Sequence, residues 1–177
     1  SISSTVKDVG FDAFVHCGIT SITIPKSVEY YTIDSCPKLK TVKFAAGTKK
    51  TAAICNCPRL TTVTLPNGVQ RVGDFINCKA LKTLTIPDGV TNIESNTFYG
   101  CRNLTSITIP NSVVSVGEGA FHNTNLPIEN NIRYADTWAV EVTNGSSTYT
   151  LRDNTTGIAD NMFQNYYNMT KITLPNG

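Results

Sequence analysis

One phrase of about ten residues returns along this chain every 20 to 23 residues or so, and a fixed period of that length restricts the fold more than any other feature. Cys101, Leu104, Ile107, Ile109 and Pro110 reappear as Cys78, Leu81, Leu84, Ile86 and Pro87, and again as Cys57, Leu60, Val63, Leu65 and Pro66. An earlier copy, Cys36, Leu39, Val42 and Phe44, carries Ala45 in place of the proline. Another, Cys17, Ile19, Ile22, Ile24 and Pro25, is one residue shorter before its first apolar position. Near the end, Met169, Ile172, Leu174 and Pro175 keep the spacing, with Tyr166 in the cysteine slot. The stretch between Leu126 and Met169 accommodates one irregular unit. In it Thr148, Tyr149, Thr150 and Leu151 fall in register with Thr83 to Ile86, and Ile158 and Phe163 take the places of Ile93 and Phe98. About eight coils result.

Within each unit the segment after the first leucine alternates apolar and polar, and its apolar members are largely β-branched, which reads as a short half-buried strand. The proline that follows cannot donate to a ladder and ends it. Val90, Ile93 and Phe98, or Val113, Val116 and Phe121, then supply further inward anchors on the return path. A lone unit cannot bury them. Stacking equivalent strands about 4.8 Å apart makes a parallel sheet on one wall with a continuous apolar column behind it. The expected fold is therefore a repeat solenoid, mostly strand and loop with little helix, forming a single domain over 1–177. Its regular coils cover about 10–125 and 151–177. Over 126–150 two readings stay open. Trp138, Val140 and Val142 alternate ahead of Asn144 and Gly145, a hairpin signal, so the segment is either a hairpin projecting from the wall or a degenerate coil. Leu174 to Gly177 repeats Leu65 to Gly68, where an internal unit continues, so the chain is expected to be a fragment running beyond 177.

The unit that runs from Phe98 and Cys101 through Leu104, Ile107, Ile109 and Pro110 to Val113 resembles the BspA-like class of leucine-rich repeats, and the likeness weakens only across 126–145. The resemblance implies a right-handed leucine-rich repeat superhelix. It also implies an extracellular or cell-surface setting in bacteria, and a role in adhesion toward host matrix proteins or other cells.

Composition excludes several classes. Charged residues make up 16% of the chain against roughly 25% in ordinary soluble domains, and 25 Thr, 12 Ser and 17 Asn take the polar share. A net charge of +2 is too small for a nucleic-acid footprint. No apolar run approaches the roughly 18 residues of a membrane span, so no membrane insertion is expected. Five of the cysteines, Cys17, Cys36, Cys57, Cys78 and Cys101, share one repeat slot. Stacked equivalents have parallel Cβ directions, which disfavours disulfides and favours buried free thiols. Cys55 and Cys57 are the one close pair, and no second pair completes a tetrahedral metal set. Neither metal nor cofactor is expected. His16 and His122 belong to different coils with no nucleophile at hand, so no enzyme is expected. Four Asn-x-Ser/Thr sequons, at Asn103, Asn144, Asn154 and Asn168, are about what chance yields and say nothing of compartment.

The positions expected to face outward from the strands form a ladder of short hydroxyls: Ser21 and Thr23, Thr41 and Lys43, Thr62 and Thr64, Thr83 and Thr85, Ser106 and Thr108, Thr148 and Thr150, Lys171 and Thr173. They are the candidate ligand-binding face, although β-propensity alone also favours Thr there. A flat Thr array resembles an ice-binding surface too, but Lys43 and Lys171 interrupt it. Just before the strands Lys38, Arg59, Lys79 and Arg102, with Lys40 and Lys82 nearby, form a basic edge. Acidic residues follow the strands at Glu29, Asp74, Asp88, Glu94 and Glu118. The sequence thus reads as a non-catalytic recognition or adhesion module for a protein or glycan ligand, with a purely structural spacer as the alternative. Exposed solenoid ends allow self-association.

Overall fold

The computed structural model describes residues 1–10, 12–28 and 31–176. Among these no helix occurs, and sixteen short strands, numbered in chain order, wind into a solenoid of about eight turns. The first coil holds β1 (Phe14–Val15) and β2 (Ser21–Ile24), the second β3 (Thr32–Asp34) and β4 (Thr41–Phe44), and the third β5 (Ala53–Cys55) and β6 (Thr62–Thr64). The fourth contributes β7 (Thr83–Thr85), the fifth β8 (Asn92–Ile93) and β9 (Ser106–Thr108), and the sixth β10 (Ser115–Val116). Then come β11 (Ile128–Glu129), β12 (Ile132–Ala135) and β13 (Trp138–Val142), followed by β14 (Thr148–Thr150), β15 (Gly157–Ile158) and β16 (Lys171–Thr173).

The strands after each cysteine, and their counterparts in the coils that lack one, make the front wall, as three parallel rafts: β2-β4-β6, β7-β9 and β14-β16. A second wall, which the sequence pattern did not announce, is built from the return path: β1-β3-β5, β8-β10 and β13-β15, again parallel. It exists because the return segments keep their own two-residue alternation, with Ile33, Ile54, Ile93 and Val116 turned inward and buried. No sheet pairing joins β6 to β7, whereas the second wall stays bonded there, with the Ile54 and Asn56 amides donating to the Asp74 and Ile76 carbonyls. The front wall therefore has a seam between the third and fourth coils.

Between the walls the repeat positions stack as expected. Leu39, Leu60, Leu81 and Leu104 are fully buried, and Phe75, Phe98 and Phe121 form a stacked column with ring centroids 5.8 and 5.3 Å apart. Turning the chain so tightly needs left-handed backbone at one recurring place. The residue before the cysteine slot, which is His16, Ser35, Asn56, Asn77, Gly100, Asn123 or Asn165, has φ between 51° and 74° in seven coils, the irregular one excepted. Asn tolerates that region better than other non-glycine residues, and its amide links coils: Asn77 Nδ2 donates to Asn56 Oδ1 at 3.0 Å and Asn56 Nδ2 to Asp34 Oδ1 at 2.9 Å.

The irregular segment resolves into neither open reading as stated. It is an antiparallel meander, with β12 between β11 and β13, and it does not project: Ile132, Tyr134, Ala135, Trp138 and Val142 are all buried. Its tight turn lies at Asn130 and Asn131, whose φ values of 51° and 66° suit the two-residue hairpin turn that needs both positive. Asn144 and Gly145 are not a hairpin turn. Neither has positive φ, and the loop is instead closed by the Tyr149 hydroxyl, which donates to the Asn144 carbonyl at 2.6 Å and accepts from the Ser146 amide at 2.8 Å. The meander shields the open edge of β9: the Asn125 amide donates to the Leu104 carbonyl, and the Ile109 amide to Asp136 Oδ2 at 2.9 Å. One register expectation fails here. Ile158 is exposed, and Ala159 takes the inward place, because β15 pairs with β13 rather than with β10.

Candidate functional site

Every outward strand position read from the sequence lies where alternation puts it. Ser21, Thr23, Lys43, Thr62, Thr64, Thr83, Thr85, Ser106, Thr108, Thr148, Thr150, Lys171 and Thr173 are exposed, and Thr41 is half-buried. Pairing lines them into columns: Ser21, Thr41 and Thr62; Thr23, Lys43 and Thr64; Thr83 beside Ser106 and Thr85 beside Thr108; Thr148 beside Lys171 and Thr150 beside Thr173. The array is not continuous. The seam after β6 and the meander after β9 divide it into three fields.

The basic edge is also placed as the repeat requires. Lys38, Arg59, Lys79 and Arg102 are exposed, as are Lys40 and Lys82, and the backbone bonds the rows together, with the Thr61 amide donating to the Lys40 carbonyl and the Thr105 amide to that of Lys82. On the acidic side Glu94 pairs with Arg71 at 3.6 Å, both well exposed, and Glu118 Oε2 accepts from Asn161 Nδ2 at 2.9 Å. Glu29 lies outside the described residues.

The cysteine column points inward. Cys36, Cys57, Cys78 and Cys101 are fully buried, and their thiols donate to carbonyls of the second wall, Cys36 to Phe14 at 3.2 Å, Cys78 to Ile54 at 3.3 Å and Cys101 to Phe75 at 3.0 Å. Burial pushes the Cys57 and Cys101 thiols up to about 12 and holds Cys78 well above its ordinary value. These are therefore packing groups that stay protonated, not nucleophiles. Among the described residues no three His, Cys, Asp or Glu side chains gather in a way that could hold a metal ion, and no helix is long and apolar enough to cross a membrane.

The structure also assembles a cluster that no local spacing reveals. His122 Nδ1 sits 2.5 Å from Glu141 Oε1, Arg133 Nε donates to Glu141 Oε2 at 2.6 Å, and the Tyr99 ring stacks on His122 at 5.5 Å. His122 belongs to a coil turn and Glu141 to the meander, so only the docking of β13 brings them together. They border a cleft of 660 Å³ that Glu118, Asp160 and Tyr166 also line. His16 lies at the other end of the stack. A second recess, of 690 Å³, follows from coil length. Asp12 and Asn96, five residues ahead of their cysteines, make a left-handed turn with φ of 57° and 61°, whereas Tyr31, Ala52 and Gly73 in the three coils between do not. The missing turns leave a hollow floored by Ala52, Ala53 and Gly73.

Residues 1–75 and 73–177 match, in six copies, the family described as BspA type leucine rich repeat region. A leucine rich cell surface protein from Faecalibacterium prausnitzii is 25% identical, with a TM-score of 0.58, over 96% of this chain and 43% of that one. A leucine-rich repeat protein from Eubacterium ventriosum is 26% identical, with a TM-score of 0.64, over 73% of this chain and 37% of that one. One from Bacteroides ovatus, 22% identical, shares the fold with a TM-score of 0.53 over 70% of this chain and 39% of that one. The chain thus spans less than half the length of each of these proteins. The search of curated proteins gives no match.

Proposed function

Because the chain belongs to the BspA-type leucine-rich repeat family, we propose that it is a non-catalytic recognition module of a bacterial cell surface, holding a protein or glycan ligand on its front wall. The observation that carries this reading is the front wall itself: in-register columns of exposed hydroxyls on a backbone whose own hydrogen-bonding groups are largely spent on neighbouring coils within each raft. Such a surface offers donors and acceptors at a fixed repeat and needs little ordering when a ligand docks, which lowers the entropic cost of binding. A cell-surface location is supported by the similar protein from Faecalibacterium prausnitzii.

The test is the double substitution Thr83→Glu and Thr85→Glu. Beads coated with each protein are scored for attachment to cultured cells and to an immobilised extracellular-matrix preparation, alongside thermal melting. Attachment should fall while the melting temperature holds, because both side chains are exposed and lie outside the core. Attachment unchanged by the substitution would instead make this wall a spacer. Leu84→Ala serves as the contrast, since its cavity costs about 2 to 5 kcal/mol of stability.

A further inference from the structure

The six cations of the edge stand close together without neutralising partners. Lys38, Lys40, Arg59, Lys79, Lys82 and Arg102 are all exposed, and none of their side chains takes part in an ion pair or hydrogen bond among the described residues. By contrast Arg71 is held by Glu94, Arg133 by Glu141, and Arg152 lies over the Tyr134 ring. The four segments that carry the edge and its strands, 36–44, 57–65, 78–86 and 101–109, contain no Asp or Glu. Four consecutive coils therefore present edge cations, two, one, two and one in turn, with no carboxylate in the same segments to neutralise them. Hydrogen-bonded coils lie about 4.8 Å apart, so the rows extend along the solenoid axis over roughly 14 Å or more, given the seam between the third and fourth coils.

The chemistry around these cations narrows the partner. Protein interfaces have an apolar centre, but the large exposed apolar side chains, Val114, Ile128, Ile158, Tyr167 and Leu174, all lie outside these segments. Single-stranded nucleic acid needs aromatic faces for its bases, and the segments 36–44, 57–65, 78–86 and 101–109 hold one aromatic residue, Phe44, which is buried. What remains is a row of point charges bordered by the hydroxyls of the front wall, a surface suited to a ligand that is itself a row of anionic groups on a hydroxyl-rich backbone.

We propose that this edge is a track for a linear anionic polysaccharide, bearing sulfates or uronic acids, laid across the coils parallel to the solenoid axis. The track is separate from the front-wall field around Thr83 and Thr85, and either can fail without the other.

The test uses heparin as the sulfated polysaccharide and dextran as its uncharged counterpart, with affinity followed by calorimetry at low and moderate salt. Two variants of the whole chain are compared: Lys38→Ser, Arg59→Ser, Lys79→Ser and Arg102→Ser together, and a control with Lys7→Ser, Lys26→Ser, Lys49→Ser and Lys50→Ser, which removes the same charge from places outside both the edge and the front wall. The wild-type chain should bind heparin and not dextran, with affinity falling as salt rises. The edge variant should lose about tenfold or more and the control about twofold or less, since local field rather than net charge decides. Thermal melting should be the same in all three. Equal losses in the two variants would overturn the proposal, as would no heparin binding at all, or binding of polyglutamate or DNA as tight as that of heparin.

Discussion

At the scale of single residues, the cysteines show how a repeat slot fixes position and leaves the partner to the fold. Their shared slot predicts a column of inward thiols, and the structure adds what holds each one: a carbonyl of the second wall, in most cases one coil back. The consequence for stability has a definite sign. In the folded chain Cys57 and Cys101 keep their protons to about pH 12, whereas in the unfolded chain they release them from about pH 9. The stabilisation is therefore complete below the unfolded value and is lost as pH rises through the window between the two. Denaturant midpoints measured from pH 8 to 11 should fall with pH, and Cys57→Ala with Cys101→Ala should flatten that slope. An identical slope in the variant would assign the alkaline loss to other groups. The asparagines were legible in number but not in purpose. Asn56, Asn77, Asn123 and Asn165 supply left-handed backbone before their slots, a demand on φ that hydrophobic periodicity does not record.

At the scale of elements, the meander marks the limit of what a repeat pattern conveys. Alternation correctly marks Trp138 to Val142 as a strand, yet it names no partner, and β13 pairs on one side with β12 and on the other with β15. The Asn-Gly signal was outweighed by one phenol, since closing the loop on the Tyr149 hydroxyl satisfies its polar groups without a hairpin. Trp138 is the anchor. Its ring lies so close to Gly157 that a Cβ there would sit 2.5 Å from it, and the residue is buried against the main core. Trp138→Ala should cost about 3 to 5 kcal/mol. Amide exchange should locate the damage in residues 126–176, with the coils before Cys78 keeping their protection. Uniform loss along the whole chain would mean that the coils unfold as one unit. The His122, Glu141 and Arg133 cluster depends on the same docking, so no reading of separate segments could have found it.

At the scale of the whole molecule, the period was enough to give the solenoid, its front wall, its core and its charged edge, because each follows from stacking like residues. The two recesses and the seam were not legible, since they arise where coils differ from one another. The seam carries its own prediction. Thr83 and Thr85 lie at a raft edge with no front-wall partner in the third coil, so their amides should exchange faster than those of Thr41 and Lys43, which lie inside the raft formed by β2, β4 and β6. Equal protection at the two places would show that the front wall is closed in solution. The seam also falls between Arg59 and Lys79. A wall fastened along its back and open along its front flexes like a book at its spine, and a stiff polymer lying over both pages acts as a splint. Whatever occupies that margin then sets how far the molecule can bend, so grip and rigidity become a single mechanical property.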